Sequence, residues 1–220
     1  MSVPAAVLRE MVERLLVEAA QSPTRTVGIV QVGHPVLRSV AEPYDGQLDA
    51  PALVALVAVM HRTMRLAPGV GLAAPQIGLP LALAVLEDPG TVDLDIERVR
   101  ERPPLPFRVL VNPRYETVVG REARVDFYEG CLSVAGYQAV VARLRVVRLT
   151  GSDEHGEPLD EVVAGWPARI VQHETDHLGG TLYLDRAQLR SLAAGGELGA
   201  FWVGEPHPIT AARELGFDLG

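Results

Sequence analysis

The stretch IVQHETDHLGG, running from Ile170 to Gly180, places His173 and His177 four residues apart, with Glu174 directly after the first. On an α-helix, residues i and i+4 share a face, so both imidazoles can point at one ion. Glu174 falls about 100° further round, where it can reach a water on that ion without binding the ion itself. Pro167 suits the first turn of such a helix, and Gly179 and Gly180 end it. The same spelling also arises by chance on ordinary helices. A functional metal site needs a third protein ligand and an open position.

Two familiar metalloprotease arrangements supply that ligand differently. One places a third histidine three residues after a glycine, but Tyr183 stands there after Gly180. The other takes a downstream glutamate from a following helix. Glu197 is at a suitable distance but sits in AAGGELGA, a poor helix former. His34, His61, His155 and His207 fall in or beside turns, on another helix or in the tail, and are weak candidates. Cys131, in YEGCLSVAG, is the better one. It follows a strand-like run, and Gly130 before it allows a sharp turn. A thiolate is a strong ligand for a divalent ion.

Outward from these residues, 220 residues suffice for one domain with a core. The net charge of −8 argues against a nonspecific nucleic-acid binder, so no DNA partner is expected. A single cysteine excludes an internal disulfide. No apolar run reaches membrane-spanning length, so no membrane partner is expected. The first twenty residues carry Glu10, Glu13 and Glu18, which fits neither a secretory signal nor a transit peptide, and a reducing cytoplasm is the expected compartment.

Leu8, Met11, Val12, Leu15, Leu16 and Ala19 recur at helical spacing and predict a helix over 4–20. A second is predicted from Ala50 to Ala67, capped by Asp49, with Leu53, Leu56, Val57, Met60 and Met64 as its stripe. Between that helix and the HExxH helix lie short Val- and Leu-rich runs broken by Pro, Gly or Asn, which read as antiparallel strands. SDEHGEP reads as a hairpin turn, VDLDIERVRERPPLP as a polar loop, and the chain beyond Arg190 as a loosely ordered tail. The expected fold is α+β: one compact domain with small antiparallel sheets around a central metal-binding helix. Its expected parts are an N-terminal helical extension (1–25), a catalytic domain (26–190) and a Gly/Ala-rich C-terminal tail (191–220).

The sequence also resembles the peptide deformylases. GVGLAAPQIG from Gly69, EGCLS from Glu129 and QHETDHLGG from Gln172 are similar to the three stretches that mark the family, in the same order. GHPVLRSVAEP and GTLYLDR add to the likeness, which covers roughly Val27 to Arg186. EGCLSVAGYQAVVAR and GWPARIVQHE look closest to the branch with mitochondrial members. The resemblance implies a hydrolase that removes the formyl group from N-formylmethionyl nascent peptides, with a transient association with the ribosome. It implies Cys131, His173 and His177 as ligands of one Fe²⁺, replaceable by Zn²⁺, Ni²⁺ or Co²⁺. It also implies Val70 and Gly71 as substrate-binding residues and the backbone N–H of Leu132 as an oxyanion donor.

Elementary chemistry asks for the same parts. Hydrolysis of an amide needs an activated water, a polarised carbonyl and a proton for the leaving amine. A divalent ion lowers the pKa of its water, Glu174 can take that proton and return it to the amine, and Gln76 offers an amide NH₂ to the oxyanion. Alternatives are a metallo-amidohydrolase for another formamide, a metallopeptidase, a silent binding protein and a structural metal module. Arg169, four residues before His173, shares its face. A cation aimed at a dication is repelled, so the arginine stem is expected to pack and its head to reach solvent. Asp176 faces away from the ligands and is a partner for an arginine such as Arg143.

Overall fold

A computed structural model describes residues 3–220. In chain order the elements are α1 (Ala5–Gln21), α2 (Ala50–Leu66), β1 (Gly71–Ala73), β2 (Leu83–Asp88), α3 (Leu94–Arg100), β3 (Leu105–Thr117), β4 (Arg124–Cys131), β5 (Val134–Leu144), β6 (Val146–Ser152), β7 (Pro158–Ala164), α4 (Gly165–Leu178), β8 (Ala193–Ala194), α5 (Gly195–Phe201) and α6 (Ile209–Leu215). The strands form two antiparallel sheets, one ordered β1-β2-β3-β6-β7 and one β4-β5-β8. This is the α+β architecture expected, with α4 packed against strands of both sheets.

The long helices form where the apolar stripe predicts. Leu8, Val12, Leu15 and Ala19 of α1 and Leu53, Leu56, Val57, Met60 and Met64 of α2 are buried in one cluster with Leu72, Leu83 and Val85. Asp49 caps α2 by accepting from the Ala52 N–H at 2.8 Å. SDEHGEP closes the β6–β7 hairpin, as read.

Two segments differ from the sequence reading. The polar stretch after β2 contains α3, started by Asp93, whose carboxylate accepts from the Asp95 and Ile96 N–H groups at 3.0 Å each. Beyond Arg190 the chain is not loose. It forms β8, α5 and α6, and buries Ala193, Leu198, Ala211, Ala212 and Phe217 against Tyr128 and Val140. The small side chains there permit close approach instead of preventing a core. Among the described residues, no helix is long and apolar enough to cross a membrane.

Candidate active site

Helix α4 is buried on nearly every side although much of it is polar. Ala168, Ile170, Val171 and Leu178 are buried, and so are Arg169, Gln172, Glu174, Asp176 and His177. Such a helix is tolerable only when each polar group finds a partner. Gln172 shows how. Its Oε1 accepts from the Leu144 N–H at 3.1 Å, and its Nε2 donates to the Leu144 and Ala168 carbonyls at 2.8 and 3.0 Å.

His173 and His177 share one face, and β4 delivers Cys131 to it. The three ligand atoms lie within 4.8 Å of one another, with Cys131 Sγ 3.2 Å from His177 Nε2. Among the described residues this is the one group of three or more His, Cys, Asp or Glu side chains with metal-binding geometry. Tyr183 is buried and stacks on His173 at a ring separation of 6.1 Å, and its hydroxyl donates to the Tyr137 carbonyl. Glu197 lies on α5, outside the cluster. His34 caps a short 3₁₀ turn, His61 pairs with Glu87, His155 sits in the hairpin turn and His207 packs edge-on against Phe127. Gly130 has no positive φ. The register of β4 and β5 shifts at Gly130 and Cys131, and a Cβ at Gly130 would lie 3.1 Å from Gln138 Cγ, so its small size serves a bulge and not a sharp turn.

Glu129 carries a function that the sequence reading did not assign. Its carboxylate accepts from His173 Nδ1 at 3.0 Å, which leaves Nε2 of that ring for the cluster. It also accepts from Arg143 at 2.7 and 3.0 Å and from Arg169. Arg143 continues to Asp176 at 2.7 Å, as anticipated, and Asp176 further accepts from Arg186 and from the Tyr115 hydroxyl. The signal was present: Glu129 and Cys131 are two apart on a strand and so share a face. Arg169 corrects the expectation of a solvent-reaching head. It is 3% exposed and donates to Glu129 and to the Val125 and Val141 carbonyls, with its guanidinium 5.1 Å from the Phe127 ring. The Glu129 carboxylate supplies the counter-charge that allows a second cation beside the histidines.

These surroundings set the proton affinities. Burial opposes charge on Glu129, but Arg143 and Arg169 hold its carboxyl well below the usual carboxylate range. Burial also disfavours a charged His173, yet hydrogen bonds to Cys131 and Glu129 raise its pKa to about 10. His177 is pushed well down by burial and by the neighbouring His173, Arg143 and Arg38. Burial raises Glu174 to about 7, against the pull of His173 and Arg143.

The GVGLAAPQ segment closes the site. A Cβ on Gly71 would lie 2.2 Å from Glu174 Oε1, and one on Gly69 would lie 2.7 Å from Leu132 Cδ1. A larger residue at either position would therefore displace the Glu174 or Leu132 side chain from the site. Gln76 is buried. Its Oε1 accepts from the Ala73 N–H at 2.8 Å, and its Nε2 faces Cys131 Sγ at 3.5 Å and Ser133 Oγ at 3.4 Å. Glu174 Oε2 is buried with no hydrogen-bond partner, as is Nδ1 of His177. A cavity of about 410 Å³ opens beside these groups, with Val70, Gly71, Gln76, Cys131, Leu132, His173 and Glu174 in its wall. The donor set, one thiol and two imidazoles with a free carboxylate oxygen alongside, fits a divalent cation with an open position.

Comparison with known proteins agrees with this chemistry. The family described as polypeptide deformylase matches residues 26–192. Peptide deformylase 1 of Streptomyces coelicolor is 58% identical over 214 residues, covering 96% of this chain and 94% of that protein. The human mitochondrial peptide deformylase is 41% identical, covering 74% of this chain and 68% of its own. Among solved structures, the Met-Ala-Ser-bound class I type b peptide deformylase of Acinetobacter baumannii superposes with a TM-score of 0.65 at 32% identity, covering 73% of this chain and 98% of that one. The chain belongs to the polypeptide deformylases, metal-dependent hydrolases that remove the N-formyl group from newly made polypeptides.

Proposed function

We propose that Cys131, His173 and His177 hold one divalent cation, Fe²⁺ in the cell, with Zn²⁺, Ni²⁺ or Co²⁺ able to replace it. When bound, that cation would polarise the formyl carbonyl and acidify the attacking water. Glu174 accepts the proton of that water as its oxygen adds to the formyl carbon. The oxyanion so formed takes hydrogen bonds from Gln76 Nε2 and the Leu132 N–H. Glu174 then hands its proton to the departing amine as the C–N bond breaks, giving formate and a free methionyl amine. Val70 and Gly71 line the substrate side. The observation that carries this reading is Glu174 Oε2, buried without a partner beside the three ligand atoms.

The catalytic unit is read as residues 26–190, with 1–25 as a helical extension and 191–220 as a C-terminal segment. Action on nascent chains fits a transient ribosome association, and the bacterial relatives fit a cytoplasmic site of action. The test is metal analysis of protein purified without oxygen, paired with turnover of formyl-Met-Ala-Ser. One iron per chain and release of formate are expected. Cleavage of unformylated peptides instead would support a metallopeptidase, and metal without any turnover would overturn the assignment of Glu174.

A further inference from the structure

The cavity has an unusual far end. Trp166, Ile170 and His173 lie at helical spacing on one face of α4, and all three line the cavity. Seven residues at the helical rise place Trp166 about 10 Å from His173 along the axis. A side chain four heavy atoms long, attached next to the scissile amide, spans about half of that distance. Val70 and Ile170 give it apolar walls on the way. The wall continues to Trp166 and to Arg100, the last residue of α3.

Three guanidinium groups converge on the Trp166 ring, Arg102 at 5.1 Å, Arg100 at 5.6 Å and Arg169 at 5.7 Å. Two of them have a carboxylate partner. Arg102 pairs with Asp88 through two bonds of 2.8 and 3.1 Å, and Arg169 pairs with Glu129. Arg100 has no carboxylate within ion-pair distance among the described residues. Its Nε and Nη2 donate only to the Pro206 and Glu205 carbonyls, at 3.0 and 2.9 Å. Its Nη1 has no partner among the described residues. Burial and the neighbouring Arg102 and Arg169 lower its pKa to about 10, which leaves it charged at neutral pH. The C-terminal segment thus pins a cation with a spare N–H in the wall of this cavity. A thioether is a weak acceptor for such a donor.

We propose that Arg100 is a specificity-determining residue that makes this pocket accept formyl peptides beginning with methionine sulfoxide as well as formylmethionine. The sulfoxide oxygen is a strong acceptor, and the Nη1–H of Arg100 donates to it while Trp166 and Ile170 keep their contacts with the rest of the side chain. The hydrolysis is the same: water adds to the formyl carbon, the C–N bond breaks, and the sulfoxide is unchanged. The inference rests on the reading of this cavity as the methionine site.

The test compares kcat and KM for formyl-Met-Ala-Ser, its sulfoxide and its norleucine analogue, with wild-type enzyme, Arg100→Leu and Arg100→Lys. In the wild type, kcat/KM for the sulfoxide should lie within about tenfold of that for the thioether. A hydrogen bond from a charged donor corresponds to roughly 10- to 100-fold. Arg100→Leu should lower kcat/KM for the sulfoxide by that amount more than for the other two peptides, through KM. Arg100→Lys should restore part of the loss, because it keeps a charged donor. Wild-type discrimination against the sulfoxide beyond about 100-fold, or an equal loss on all three peptides in Arg100→Leu, would overturn the proposal. Absence of turnover on formyl-Met-Ala-Ser by the wild type would overturn the methionine-site reading instead.

Discussion

Helices α2 and α4 are both buried, and for opposite reasons. Helix α2 hides an apolar stripe and leaves Val54 and Leu66 at the surface. Helix α4 hides Arg169, Gln172, Glu174, Asp176 and His177. The first gains from removing hydrocarbon from water. The second gains less that way and depends on its charged and amide side chains being met by partners on other elements. The lesson is that a site helix is held by its partners on other elements, and that the groups left without a partner are the ones to examine. In α4, Trp166 Nε1, Thr175 Oγ1, His177 Nδ1 and Glu174 Oε2 are buried without a partner, and Glu174 is the carboxylate among them that lines the cavity, so the sharpest way to break the contrast is to alter it. Glu174→Gln keeps the shape but cannot shuttle a proton. It should retain metal and substrate binding and lose about 10²–10⁴-fold in kcat. Metal-loaded protein with nearly full activity would show that Glu174 is one more satisfied polar residue of the helix.

The next effect concerns the partners. Arg143 ties β5 to β4 through Glu129 and to α4 through Asp176, and is itself 1% exposed. Arg143→Met removes a cation between two buried carboxylates, for which the usual cost is about 3–5 kcal/mol. Leu56→Ala on α2 removes only packing and should cost about 2–5 kcal/mol. The two differ in a second readout. Arg143→Met should also speed loss of metal to a chelator, because Glu129 orients His173, whereas Leu56→Ala should not. Equal chelator rates in both variants would mean that the network only holds the fold.

How far the sequence reveals each helix follows from the same contrast. Helices α1 and α2 are legible because their stripe repeats at 3.6 residues. In α4 the histidine pair and the neighbouring Glu174 were legible from spacing, but the path of Arg169 was not. Its burial depends on Glu129, forty residues away in sequence, and on two backbone carbonyls of β4 and β5. Helix α3 lacks any buried residue, so its periodicity is faint, and only the Asp93 cap announced it. The order of the C-terminal segment is hidden in the sequence because glycine weakens local propensity, while the buried Ala211 and Ala212 let α6 approach.

A smaller effect separates the two helices by pH in the metal-free protein. Burial raises Glu174 from the ordinary 4.5 to about 7. A carboxyl raised on folding contributes its full stability below pH 4.5, and that contribution is lost as the pH climbs through 7. The loss amounts to about 3 kcal/mol at pH 8. Glu174→Gln has no such titration. In urea melts of metal-free protein, the variant and the wild type should be close at pH 4.5 and diverge in the variant's favour by pH 8. The core substitution Leu56→Ala should show the same deficit at both pH values. Parallel pH curves for wild type and Glu174→Gln would place the Glu174 carboxylate in contact with water.

A polar residue outside α4 can act on the reaction or only on the fold. Gln76 is buried on the short turn after β1. Its Oε1 is committed to the Ala73 N–H, and that bond aims Nε2 toward Cys131. A fixed donor of this kind requires no reorganisation when charge develops beside it, so it stabilises the oxyanion more than the neutral carbonyl. Gln76→Leu preserves approximate volume and removes the donor. It should lower kcat and kcat/KM together by roughly 10²-fold, about 2.7 kcal/mol. The loss of the Ala73 bond makes some destabilisation unavoidable, so melting behaviour has to be recorded beside the kinetics. Gln76→Glu serves as the control: it keeps an acceptor for Ala73 but presents a carboxylate in place of the donor, and it should be at least as slow as the leucine variant. A rise in KM alone in Gln76→Leu would make Gln76 a holder of substrate. Full activity in the glutamate variant would remove it from the oxyanion site altogether.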